Sequence, residues 1–308
     1  MAESNINQKL VSEIMSIASN ARLEQFRQAR RIHGGTINLA AAALGVRLSR
    51  IPIPTRFREP LYRTIYGQKY KPLNEAELDR PLAEFRSLNA LFTRGLRPEC
   101  RPISDVESQL LCPCDSTIQD LGQLHDDTLL TVKGIEYSLS TLLPEINTQP
   151  LINGSFAIFF LSPADCHRVF APAAGEIKEI LHVPGRRLLV HPPYQRKEFP
   201  VFTLNERVII RLRTSVGECV LVMVAGWGVG NITFPFDVPL RLMRRQVTRH
   251  EFAAPRPVER GEWIATFELG STVILLTEPH DALVAAIARD EHVCYGQPAF
   301  APHQTEVT

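Results

Sequence analysis

Three short stretches place reactive side chains where a chain could use them. In "ATFELGSTVILL" (265–276) an apolar run is interrupted by Gly270, Ser271 and Thr272. A glycine inside a strand marks a bulge or a close backbone approach. It also leaves its own carbonyl carbon unhindered toward the hydroxyl of the serine that follows. With a base to take the Ser271 proton and donors for the oxyanion, an N→O acyl shift gives an ester. β-Elimination and hydrolysis then leave a pyruvoyl group at residue 271, a keto group that can act as an electron sink for loss of CO2. The plainer alternative is a bulge with a buried hydroxyl.

In "FFLSPADCHRVFAPAAGEI" (159–177), Ser162, Asp165, His167 and Arg168 crowd between an apolar run and a turn signal. Histidine titrates near neutrality and is the commonest proton-transfer side chain, and loops on a rigid scaffold often carry function. The alternative is a strand-end histidine satisfied by hydrogen bonds. In "LLCPCDSTIQDLG" (110–122), Asp115 ends an apolar run and is placed to orient a histidine. It reads equally as a turn aspartate bonded to its own backbone.

The elements that must hold these residues follow from composition and pattern. The chain has 308 residues, 44% hydrophobic and 22% charged, with a formal net charge of +1. That balance gives no global case for nucleic-acid binding. The six cysteines include no C-x-x-C pair, so no metal site is expected and reduced thiols are. The first residues lack the apolar core of a signal peptide and the Arg- and Ser-rich character of a transit peptide. No apolar run approaches the roughly 18–20 residues needed to cross a bilayer.

Helical spacing of Leu10, Val11, Ile14, Met15, Ala18 and Ala21 predicts an amphipathic helix over 6–31. Between Arg27 and Arg63 stand eight arginines against one acid, Glu59. Such a section could lie on an anionic bilayer or be a solvated helical face. Beyond Arg101, short β-branched runs such as "RVIIRLRT" and "CVLVMVAGWGVGNITF" predict strands. A short helix is expected in 137–143, capped by Ser138 or Ser140, and an exposed loop over the arginine-rich 241–260. The expected fold class is α+β, with N-terminal amphipathic helices (1–100) over a single β-rich core (101–308).

Taken together, the three stretches resemble the phosphatidylserine decarboxylase family. Leu269-Gly270-Ser271-Thr272 is similar to its L/F-G-S-T cleavage motif, residues 161–172 to "LSPxDYHRxHxP", and Pro113-Cys114-Asp115-Ser116 to "PADG". Weaker echoes lie in "FRSLNALFTRGLRPECRPI", "VPGRRLLV" and "LNERV", so the resemblance runs from about Ile51 to Thr277. It implies self-cleavage at Gly270-Ser271 into a large N-terminal and a small C-terminal chain held as a heterodimer, with a possible homodimer of these. Ser271 would be the nucleophile and the future pyruvoyl cofactor. Asp115 would belong to an Asp-His-Ser triad, and His167 would assist decarboxylation. Ser162, Arg168 and Phe170 would contact substrate. A phospholipid surface would be the partner, with the protein peripheral on the cytoplasmic face of the cell membrane.

The departures are specific. Phe170 stands where the family has its second histidine, the usual triad base. Ser116 replaces a glycine, Cys166 a tyrosine, and Trp227 a smaller residue. Two other readings therefore stay open: a pyruvoyl decarboxylase of another amino-acid-type substrate, and an uncleaved, non-catalytic lipid-binding relative.

Overall fold

The apolar runs are buried on both faces, and this decides the architecture. The computed structural model describes residues 35–69, 72–131, 134–192, 195–197, 200–228, 231–238, 246–268 and 271–303. The helix expected over 6–31 lies outside the described residues. The early strands are β1 (Leu110–Leu111), β2 (Ser116–Gln123), β3 (Thr128–Leu130), β4 (Glu136–Ser138), β5 (Ser155–Leu161), β6 (Arg168–Phe170), β7 (Gly175–Val183) and β8 (Arg207–Thr214). They are followed by β9 (Gly217–Ala225), β10 (Asn231–Thr233), β11 (Thr248–Val258), β12 (Trp263–Glu268), β13 (Ser271–Thr277), β14 (Leu283–Ala285), β15 (His292–Val293) and β16 (Pro298–Pro302).

An eight-stranded sheet in the order β11-β7-β8-β9-β13-β5-β2-β15 forms the centre, every neighbour antiparallel. Along β13, Val273 and Leu275 enter one hydrophobic cluster, while Ile274 and Leu276 enter the cluster on the opposite face. β9 does the same, with Leu221 and Met223 on one side and Val220, Val222 and Val224 on the other. A strand covered on both faces needs apolar residues at every position, which explains the unbroken runs in the sequence. Two three-stranded sheets, β10-β12-β6 and β1-β16-β14, and the β3-β4 hairpin complete the strand framework. The architecture is α+β with a β-rich core.

Ahead of the sheet lie the helices α1 (Gly35–Ser49), α2 (Thr55–Lys69) and α3 (Leu88–Phe92). Tyr62, Tyr66, Leu78, Leu82, Phe85 and Leu91 form a separate small core there. The Tyr62 hydroxyl donates to the Phe85 carbonyl at 2.8 Å, which satisfies a polar group inside that core. Ser87 caps α3 by accepting from the Ala90 N–H. Later come α4 (Leu139–Leu142) and α5 (Val201–Leu204). Of the two serines expected to cap α4, Ser138 does so, accepting from the Thr141 N–H.

One expectation is corrected. In the described part of 241–260, residues Thr248–Val258 are a strand rather than a loop. Among the described residues β11 is an edge strand laddered only to β7, with a register irregularity between Glu251 and Arg256. Most of its side chains are solvent-facing or only half covered, so no apolar period betrays it.

Because Ile274 is fully buried at the centre of the sheet, Ile274→Ala should destabilise the uncleaved Ser271→Ala chain by about 2–5 kcal/mol. Leu44→Ala, on an exposed helix face, should stay within about 0.5 kcal/mol. Urea unfolding midpoints measure both.

Candidate active site

β13 carries the serine of the Gly-Ser step into the middle of the sheet. Ser271 begins the strand, its backbone opposite Leu161 of β5 on one side and Ala225 of β9 on the other. Leu269, Gly270 and the Ser271 side chain lie outside the described residues. Next to them, Thr272 is fully buried, and its Oγ1 has no hydrogen-bond partner among the described residues.

Leu161 ends β5, and the chain then turns sharply through Ser162–Asp165. The Asp165 carboxylate closes the turn: its Oδ2 accepts from the Ser162 N–H at 2.7 Å, and its Oδ1 lies 3.0 Å from His292 Nε2. Burial alone would raise the Asp165 pKa, but the hydrogen bonds from His292 and Ser162 outweigh it and hold the carboxyl below its usual range. His292 reaches this point because β15 pairs with β2.

The turn in turn sets His167. Its Nδ1 lies 3.0 Å from the Asp165 carbonyl oxygen. A carbonyl can only accept, so Nδ1 carries the hydrogen and Nε2 holds a free lone pair. The ring is completely buried and packs on Phe92, centroids 3.8 Å apart. Burial pushes the imidazole pKa down to about 3, so the ring is neutral at pH 7. Nε2 has no partner among the described residues. A neutral, oriented imidazole with an unused lone pair is a proton acceptor.

Asp115 is held differently from the sequence expectation. It is buried, and Arg101 grips both oxygens: Nε to Oδ1 at 3.0 Å and Nη2 to Oδ2 at 2.8 Å. The Tyr295 N–H also donates to Oδ1, at 2.9 Å. Burial disfavours the guanidinium charge, yet the bonds and attraction of Asp115, with Glu77, more than offset it and raise the Arg101 pKa. The structure therefore brings Asp115 to Arg101 and Tyr295, and His167 to the Asp165 carbonyl.

Phe170, at the position of the missing histidine, stacks on Tyr295 with centroids 3.8 Å apart and planes 13° apart. Cys166 completes this buried cluster, with Leu96 and Trp263 against it. Two of the residues that depart from the family pattern, Cys166 and Phe170, are thus in one apolar group. Arg168 points elsewhere: its guanidinium lies over the Trp263 ring at 4.1 Å and lines a cavity of about 390 Å³. Glu268, at the end of β12 and three residues before Ser271, lines the same cavity. Ser162 and Phe170 are not among that cavity's lining residues.

Arg101, Tyr295, His292, Phe92 and Glu268 escaped sequence reasoning. Arg101 lies within the quoted "RPECRPI" stretch, which offers a signal but no partner. Phe92 lies within the same longer stretch and Glu268 within "ATFELGSTVILL", again with no partner indicated, while His292 and Tyr295 lie outside every stretch singled out.

Removing Arg101 leaves a buried carboxylate unpaired. Arg101→Ala should cost about 3–5 kcal/mol of stability in denaturant unfolding. Adding Asp115→Asn to it should recover part of the loss, because the buried charge is then gone.

A family model described as phosphatidylserine decarboxylase matches residues 88–301. The chain is 39% identical over 206 residues to the phosphatidylserine decarboxylase proenzyme of Halorhodospira halophila, covering 66% of this chain and 70% of that protein. It is 37% identical to the protein of that name from Bordetella pertussis, covering 67% and 71%. The like-named protein of Anaeromyxobacter sp. strain K is 33% identical, covering 81% and 88%.

Proposed function

Because the chain belongs to the phosphatidylserine decarboxylase family, we propose that it cuts itself between Gly270 and Ser271 and converts phosphatidylserine to phosphatidylethanolamine. The observation that carries the reading is the buried, neutral His167 with its free Nε2. In this account His167 Nε2 accepts the Ser271 proton, so the histidine absent at position 170 is not needed for that step. Asp165 fixes the imidazole through its carbonyl, and Ser162 fixes Asp165 through its N–H. Asp115 is a positioning residue, anchoring Tyr295 and hence the Phe170 stack.

A pyruvoyl group at residue 271 would form at the first position of β13, between the backbones of Leu161 on β5 and Ala225 on β9. When formed, the group supplies the electron sink for loss of CO2. The strands from β13 onward would belong to the small C-terminal chain, and β13 lies between β5 and β9 of the large one. The two chains would stay together as a heterodimer without a covalent link.

Intact-mass measurement of the purified protein tests this. Two chains are expected, the smaller blocked by a pyruvoyl mass at residue 271, and Ser271→Ala should remain a single chain. His167→Gln should slow the cut roughly 10²- to 10⁴-fold. The sign of the pH dependence follows from burial: a base whose pKa is lowered to about 3 stays unprotonated on acidification, so the rate should stay level from pH 8 to 5. An ordinary imidazole would lose activity below its usual pKa near 6.5. A wild-type chain that remains whole would favour the non-catalytic relative instead.

The lipid surface belongs to the same proposal. Among the described residues no helix is long and apolar enough to cross a membrane. Leu44, Leu48, Ile51, Phe57 and Leu61 are all exposed on or between α1 and α2, alongside Arg47, Arg56 and Arg63. Apolar anchors next to cations suit peripheral docking on an anionic bilayer. Flotation with vesicles containing phosphatidylserine should recover the protein, and Leu44→Asp with Leu48→Asp should release it.

A further inference from the structure

The cavity beside the cut site carries more positive charge than its own carboxylates neutralise. Arg80, Arg86, Arg94 and Arg168 line it, against Glu84 and Glu268. Arg80 is already paired with Asp79, and Glu268 is already taken by Arg50 of the α1 end and by Asn89. Arg86, Arg94 and Arg168 form no ion pair with a carboxylate among the described residues. Arg94 is only 3% exposed; two of its nitrogens reach the Leu91 and Ala164 carbonyls, and its Nε is buried without a partner. Arg94 thus brings to the cavity lining a guanidinium whose hydrogen-bonding capacity the described residues leave incompletely used.

Arg168 is held ready. Its Nε donates to the Thr93 carbonyl at 3.4 Å, and its guanidinium rests on the Trp263 ring. Trp263 is itself locked, since its Nε1–H donates to Ala265 O and Thr266 Oγ1, both at 2.9 Å. Gly95 leaves the room that this arrangement needs: a Cβ there would come within 2.8 Å of Arg168 Nη1 and 2.7 Å of Asp79 Oδ2. Planar guanidinium groups with fixed forks suit phosphate oxygens. The position also suits a lipid, because Arg50, which reaches the cavity wall at Glu268, is flanked by the exposed Leu48 and Ile51.

We propose that Arg86, Arg94 and Arg168 form the subsite for the phosphodiester of the substrate's headgroup, with Trp263 bracing Arg168. The inference rests on the decarboxylase reading, and it distinguishes a phosphate-bearing substrate from a free amino acid. Arg86 is the exposed member, so it meets the ligand at the mouth while Arg94 meets it inside.

The test uses the uncleaved Ser271→Ala chain, so that it is read whether or not wild-type protein ever cuts itself. Calorimetric titration with glycerophosphoserine should show saturable binding, with inorganic phosphate competing more weakly and free serine not binding over the same range. Arg86→Gln and Arg168→Gln should each weaken glycerophosphoserine at least tenfold. Since Arg168 also packs on Trp263, its variant is checked by thermal unfolding, and Arg86→Gln carries the result if Arg168→Gln does not fold. Absence of binding, serine binding as tightly as glycerophosphoserine, or an Arg86→Gln affinity within twofold of the parent would each overturn the proposal. Inorganic phosphate binding more tightly than glycerophosphoserine would mark a free-phosphate site and would equally overturn the headgroup assignment. Failure of the decarboxylase reading shows separately, as wild-type protein that stays one chain.

Discussion

Strand Ser271–Thr277 is the constraint on which the rest depends. It is laddered on both edges, to β5 and to β9, and covered by a hydrophobic cluster on each face. A residue at its first position cannot shift without disturbing both neighbours, because interiors packed at crystal-like density do not yield locally. The ends of β5 and β9 therefore fix what surrounds Ser271. The turn leaving β5 delivers Ser162, Asp165 and His167 in succession, and β12, paired with β6, brings Glu268 and Trp263 to Arg168. The proposed chemistry is staged by the sheet, and the Arg50–Glu268 contact ties the end of α1 to β12.

The substitution at position 170 shows how a site adjusts to losing a polar member. A buried histidine there would need hydrogen-bond partners. Phenylalanine needs only apolar contact, and it finds this against Tyr295, Cys166, Leu96 and Trp263. Asp115 is satisfied by Arg101 and the Tyr295 N–H, a charge-assisted pairing that compensates for its burial. His167, the proposed proton acceptor, is kept neutral by the same burial that hides it. One desolvated environment thus accounts for both the fixed aspartate and the available imidazole.

Much of the fold was legible in the sequence, for a simple reason. Two-sided burial writes itself as uninterrupted apolar runs, so β5, β8, β9, β12 and β13 stood out, and Ser138 could be named as a helix cap from local chemistry alone. β11 was not legible, because an edge strand whose side chains are mostly solvent-facing or half covered has a composition like that of a loop.

At the candidate site, sequence alone determined the residue types and their local order: a Gly-Ser-Thr step within an apolar run, a Ser-Pro-Ala-Asp turn before His167, and a phenylalanine where a second histidine is usual. Each of those features is encoded within about a dozen consecutive residues. Only the tertiary structure decided the partners. Asp115 meets Tyr295 across 180 residues of chain, Asp165 meets His292 across 127, and Arg50 meets Glu268 across 218. Such pairings depend on strand order in a sheet that joins distant segments, and no local period or motif records which buried charge will find which counter-charge.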